Sequence, residues 1–174
     1  RLVVVNPCAL SCADGSPVTI WHVGTAKSSA VSKVVDEHFI KWSTFVSEYV
    51  DVWLCQQTEQ TGKLAGHIQV FDINNVGMWQ ASSCLDKLKL LFSAGGNYME
   101  STAAIFVINS SSVFSMGYKL VKSLLSPRTA SKVHVANGVP DKLIALLDSN
   151  SKVRLPKLLK SPEWSAAMQH PSMP

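Results

Sequence analysis

Residues 96–135 read GNYMESTAAIFVINSSSVFSMGYKLVKSLLSPRTASKVHV. Within this stretch, Ala103 to Asn109 is a continuous apolar run of strand length. Such runs mark parallel strands buried on both faces. Ser110-Ser111-Ser112 then offers helix N-caps. Phe114, Tyr118, Val121 and Leu125 recur on one helical face, with Lys119 and Lys122 on the other, so 113–125 reads as an amphipathic helix. Pro127 forbids its continuation. Lys132 to Val135 reads as a short strand. Strand, helix and strand in succession predict an α/β fold with a mostly parallel sheet. Three polar residues stand at the turning points: Glu100, Thr129 and Lys132.

The upstream half follows the same alternation. Leu2–Val5 and Pro17–Val23 are strand-like, and Asp14-Gly15 between them suits the turn of a hairpin. The first dozen residues otherwise look irregular, with Pro7 and a small-residue run. Lys33 to Glu59 reads as a long helix with an aromatic-rich stripe (Phe39, Trp42, Phe45, Tyr49, Trp53). Plain core packing explains that stripe. Gly62 suits its C-terminal cap. His67–Asp72 is a strand, and Trp79–Ser93 a second helix ended by Gly95-Gly96. Pro140–Leu147 is a helix with Pro in its first turn. After Asp148 the chain becomes polar and Pro-punctuated, and 161–174 reads as a tail or linker.

Composition narrows the function classes. The chain has 174 residues, enough for one domain with its own core. Apolar residues make up 47% and charged residues 16%, against roughly 25% charged in a typical soluble domain. Such a chain spans a membrane, hides surface under a partner, or encloses an apolar cavity. No uncharged apolar run reaches the ~18 residues of a spanning helix. The sequence begins at Arg1 rather than Met, so the natural N-terminus is expected upstream. The net charge of +4 suits weak attraction to anionic lipid headgroups. No Lys/Arg cluster interleaves with aromatics, so nucleic acid is not an expected partner. The last third is the most basic (Lys152, Arg154, Lys157, Lys160), which a solvated surface explains better than a membrane patch does.

Catalytic motifs are missing. There is no GxxxxGK[ST], no GxGxxG, no GxSxG and no HExxH. Cys8, Cys12, Cys55 and Cys84 read as reduced thiols, because Cys8-x3-Cys12 is not CxxC and no His pair lies at zinc spacing. The five histidines are scattered. No metal, cofactor or catalytic residue is expected. Asp72 ends a strand, where α/β enzymes place functional residues, but it has no evident partner base and is expected to cap the following loop.

That leaves Glu100, Thr129 and Lys132. A hydroxyl and an ammonium three residues apart can hold a phosphate or a polyol through charge-assisted hydrogen bonds, and Glu100 can accept from polyol hydroxyls. A Glu–Lys ion pair, with Thr129 as a turn-stabilising hydroxyl, satisfies the same spacing.

The order of elements resembles the CRAL-TRIO lipid-binding domain of the phosphatidylinositol/phosphatidylcholine transfer proteins, from about Pro7 to about Pro156. The likeness rests on Asp14-Gly15-Ser16-Pro17-Val18 at the entry to the first strand and on His67-x4-Asp72. It continues through Tyr98-Met99-Glu100, Ile105–Asn109, the 113–125 helix and Ser126–Val133, the last similar to the family's DPxTxxKI turn. The resemblance implies a mostly parallel mixed sheet as the floor of an apolar pocket, flanking helices, and helix 113–125 as a lid. Phe114, Tyr118, Val121 and Leu125 would line that gate. It also implies a non-enzymatic protein that binds and transfers a phospholipid, with Glu100, Thr129 and Lys132 on an inositol headgroup. A cytoplasmic location and transient membrane contact follow from it. Residues 1–160 would form the domain, without the helical subdomain that precedes it in the family. Asn109-Ser110-Ser111 lacks the family's proline, and Leu155–Ser161 lacks its closing glycines. Domains of this fold also serve as membrane-targeting or interaction modules of GTPase-regulator and phosphatase chains.

Overall fold

The computed structural model describes residues 4–25, 28–31, 33–76, 101–111 and 126–161, together with positions 90, 118 and 122. Among the described residues, ten strands and α-helices follow in order: β1 (Val4–Ser11), β2 (Pro17–His22), α1 (Ser28–Val31), α2 (Asp36–Thr61), β3 (His67–Asp72), β4 (Thr102–Ile108), α3 (Pro127–Ser131), β5 (Val133–Val135), α4 (Asp141–Leu146) and α5 (Ser149–Lys160). The five strands make one sheet in the order β1-β2-β3-β4-β5. β1 and β2 are antiparallel, and every other pair is parallel. The expected mixed, mostly parallel sheet with flanking helices is therefore observed.

The hairpin turn is built by Asp14 and Gly15. The Asp14 carboxylate accepts the Ser16 N–H at 2.9 Å, and Gly15 takes a φ of 86°, which glycine adopts without steric cost. β1 is longer than the sequence reading allowed. It runs through Pro7, which an edge strand tolerates because an N–H directed off the sheet is not needed. A bulge between Asn6 and Leu10 absorbs the irregularity, with Cys8 at a φ of 49°. The Cys8 N–H then bonds the Thr19 hydroxyl at 3.2 Å. Burial pushes the Cys8 thiol up to about 12 and the Cys12 thiol up to about 11. Cys8, Cys12 and Cys55 are free thiols, as expected.

Alternation along the strands assigns the two faces. Val18, Ile20, Ile68, Val70, Phe106 and Ile108 point to one side and pack with Leu143 of α4, Leu147, and Leu155 of α5. Trp21, Phe71, Ile105 and Val107 point to the other. There Trp21 stacks on Phe71 (5.6 Å, 7°) and meets the edge of Trp42 from α2 (5.8 Å, 87°). α2 starts with Asp36 and Glu37, which favour a helix N-terminus electrostatically. It stops at Gly62, whose left-handed backbone donates to the Thr58 carbonyl at 2.9 Å.

Besides the single turn of α1, two helices lie where none was expected. α3 begins at Pro127, capped by the Ser126 hydroxyl, which accepts the Thr129 N–H at 3.1 Å. α5 occupies the segment read as polar and Pro-punctuated. Asp148 caps it by accepting the Ser151 N–H at 2.7 Å, and Pro156 sits inside it. Ser151 and Leu155 are buried, one turn apart. The Ser151 hydroxyl also accepts the Ser11 N–H at 2.8 Å, which ties α5 to β1. The expected helix 79–93 lies outside the described residues, as does the tail beyond 161.

Candidate functional site

The polar groups of the sheet collect on the Trp21–Phe71 face, toward the starts of β3 and β4. His67, Gln69 and Phe71 alternate with Ile68 and Val70 and so share that face. The His67 ring contacts the Thr19 hydroxyl at 2.9 Å through Nε2. The Gln69 amide donates to the Thr102 hydroxyl at 3.0 Å. A register shift between His67 and Ile68 sets His67 opposite Thr102 and Gln69 opposite Ile105. Burial drives the His67 ring down to about 3, so it is neutral at physiological pH.

Lys132 reaches the same corner. It follows α3 directly, and its ammonium donates to the Thr102 backbone carbonyl. Its backbone carbonyl accepts from the Ile105 N–H at 3.0 Å, which starts the β4–β5 pairing. Thr129 lies one turn earlier, with its hydroxyl 2.9 Å from that of Ser126. So Thr129 and Lys132 belong to one helix–strand junction at the edge of the sheet. Both are half-buried. The turn-stabilising role considered for Thr129 is present in this geometry, and among the described residues Lys132 meets a carbonyl.

Glu100, Phe114, Val121 and Leu125 lie outside the described residues. Tyr118 is helical and half-buried, and desolvation raises its phenol above the ordinary value.

At the opposite end of the strands, Asp72 accepts the Asn109 amide at 2.8 Å and the Asn74 N–H at 3.1 Å. The second bond is the expected loop cap. Burial acts to raise the Asp72 carboxyl, but contacts from His22, Asn109 and Asn74 outweigh it and hold the group below its usual range. His22 Nδ1 stands 3.7 Å from Asp72, too far for a hydrogen bond, while Nε2 meets Asn6 Oδ1 at 2.8 Å. Asn109 has a φ of 56°, so Asp72 pins the chain where it leaves β4 in a left-handed conformation. These bonds hold the loop after β3 and the exit from β4 in place.

Sequence reasoning missed His67, Gln69 and Thr102. Period-two alternation from Phe71 back to His67 would have put two of them on one face. Their link to Thr102 depends on the register shift, which no sequence pattern signals. Among the described residues, no group of three or more His, Cys, Asp or Glu could hold a metal ion. Nor is any helix among them long and apolar enough to cross a membrane.

A mixed five-stranded sheet with helices on both faces and a polar corner at the starts of β3 and β4 defines an α/β domain. The chain belongs to the CRAL/TRIO domain family, whose model matches residues 13–158. It is 33% identical over 154 residues to the phosphatidylinositol/phosphatidylcholine transfer protein SFH12 of Arabidopsis thaliana, covering 84% of this chain and 27% of that protein. It is 40% identical over 145 residues to SFH4 of the same plant, similarly described, covering 79% of this chain and 24% of the relative. The SEC14 cytosolic factor of Yarrowia lipolytica is 27% identical over 140 residues, covering 76% and 28%. The chain thus spans about a quarter of the length of the curated relatives it matches. The crystal structure of Sfh5 shares the fold, with a TM-score of 0.53 at 19% identity, covering 77% of this chain and 49% of that one.

Proposed function

We propose that this chain binds a phospholipid without chemically altering it and passes it between membranes. Relatives described as phosphatidylinositol/phosphatidylcholine transfer proteins carry that reading, since they match most of the chain. In it, residues 1–160 are the lipid-binding domain and 161–174 a tail. Thr129 and Lys132, joined by Glu100, hold an inositol headgroup. The apolar floor takes the acyl chains, at about 25 cal/mol per Å2 of apolar surface removed from water. Helix 113–125, with Phe114, Tyr118, Val121 and Leu125, gates the pocket. The protein is cytoplasmic and touches membranes transiently. The role of a targeting module in a larger regulator draws less support, because the relatives named above are described as transfer proteins or as a cytosolic factor.

The geometry of Lys132 adds a physical argument. Its ammonium rests on a neutral carbonyl, so a phosphate can replace that acceptor with a stronger, charge-assisted one. Native mass spectrometry of the purified chain should find co-purified phospholipid. Lys132→Ala should deplete phosphatidylinositol before phosphatidylcholine. Phosphatidylinositol retained in full by that variant would sink the headgroup assignment.

A further inference from the structure

α2 carries apolar side chains on two sides. Ser43, Val46, Val50 and Leu54 make its buried side. At 3.6 residues per turn, Lys41, Phe45, Glu48, Val52, Cys55 and Glu59 fall within about 40° of the opposite direction. All six are exposed. Phe45 keeps 45% and Val52 51% of its surface open to solvent. Among the described residues, eight large apolar side chains are exposed. Five of them (Val35, Ile40, Phe45, Val52 and Leu64) lie on α2 or within three residues of its ends. A helix that meets only water on its outer side carries polar residues there, so this concentration marks a contact surface.

The charges along the outer side say what fits it. At the start of α2, Glu37 pairs with Lys41 one turn on, at 2.8 Å. At its end, Glu59 precedes Lys63, which stands just past the Gly62 cap. Lys63 is exposed as well. Both ends thus read acid and then base. Two such helices laid parallel would set like charges together. Laid antiparallel, they set every acid opposite a base.

We propose that two copies of this chain associate through the outer sides of α2, antiparallel about a twofold axis at the level of Val50. In that register Glu37 meets Lys63 of the second copy, and Lys41 meets its Glu59. The twofold axis repeats both pairs. Between these charged ends Phe45 meets Cys55 of the second copy, and Val52 lies against the stem of its Glu48. Glu48 is the discordant member. The two Glu48 carboxylates come within about one helical turn of each other near the axis and weaken the pairing. The contact uses the side of α2 turned away from the sheet and does not depend on the phospholipid reading.

The test is sedimentation equilibrium of the full chain from low to high micromolar concentration. We expect the average mass to rise reversibly from one chain toward two. Phe45→Glu/Val52→Glu should weaken the association more than about tenfold. Lys41→Glu alone and Glu59→Lys alone should each weaken it severalfold. Combined in one chain they set two acids opposite two bases, and the wild-type strength should return. Loss of pairs within the helix would give no such rescue. Glu48→Gln should tighten the dimer. Register has its own readout, in chains that also carry Cys84→Ser. Phe45→Cys should form a disulfide-linked dimer through Cys55 of the second copy under mild oxidation. A chain that keeps Phe45 should not, because the two Cys55 thiols lie roughly 15 Å apart along the axis. If the acidic double variant fails to fold, the charge exchange at exposed Lys41 and Glu59 decides. A chain that stays monomeric throughout would overturn the proposal, whether or not α2 then binds vesicles or another protein. So would a dimer indifferent to Phe45→Glu/Val52→Glu, or an exchange that restores nothing.

Discussion

The Lys132 ammonium donates to the backbone carbonyl of Thr102, joining the residue that precedes β5 to the first residue of β4. One side chain thus serves both the edge of the sheet and the proposed headgroup. Lys132→Met keeps the length of the stem and removes the charge. It should lower stability by only about 1 kcal/mol, since the group is half-exposed. The ratio of bound phosphatidylinositol to phosphatidylcholine should fall severalfold. Urea unfolding and lipid mass spectrometry read the two effects separately.

His67 gives the fold a pH dependence of known sign. Its ring is held at about 3 by burial, against 6.5 when exposed. The unfolded chain therefore binds a proton in this window that the folded chain does not. Stability attributable to this site is full above about 6.5 and falls by about 1.4 kcal/mol per pH unit toward about 3. His67→Gln should flatten that part of the profile. A wild-type slope that persists in the variant would assign the acid sensitivity elsewhere.

Gly24 has no room for a side chain. A Cβ there would lie 1.6 Å from the Asn74 carbonyl oxygen. Gly24→Ala must push apart the loops that follow β2 and β3, at an expected cost of 2–4 kcal/mol, roughly. Gly62→Ala meets no atom within 4 Å and pays only for its φ of 67°, about 1 kcal/mol. Urea midpoints should rank the two variants in that order.

Leu155 is 1% exposed and joins α5 to the core built on Val18, Ile20 and Phe106. Leu155→Ala should cost about 2–5 kcal/mol. Val153→Ala, two residues away and exposed, should change stability by no more than about 0.5 kcal/mol. Equal effects would mean that α5 is not docked as described.

What the sequence disclosed follows from what sequence patterns encode. Apolar runs such as Ala103–Asn109 announce buried strands, and the Asp14-Gly15 turn announces its hairpin, because burial and turn geometry are local demands. The sequence reads β1 as ending at Val5 because Pro7 looks like a strand breaker, which the edge position tolerates. α5 was hidden by Pro156 and by its cations. The Asp148 cap and the spacing of Ser151, Leu155 and Leu159 were the signals available. Thr129 and Lys132 stand at turning points of the sequence, and the resemblance assigns them to a headgroup. That the Lys132 ammonium meets the Thr102 carbonyl, beside Gln69, depends on pairing between segments 30 or more residues apart, which no local pattern records.

The strands lie side by side in the order in which they occur along the chain. A polypeptide emerging from the ribosome can therefore lay each new strand on the growing edge, and none has to wedge between two already in place. The N-terminal hairpin can template the sheet before the rest is synthesised. The contacts of Ser11, Cys12 and Ala13 with 146–151, among them the Ser11–Ser151 bond across 140 positions, must wait for nearly the whole domain. Completion of the fold should thus coincide with the arrival of α5, and truncation before Ser149 should leave that greasy face covered in part by α4 and prone to aggregation.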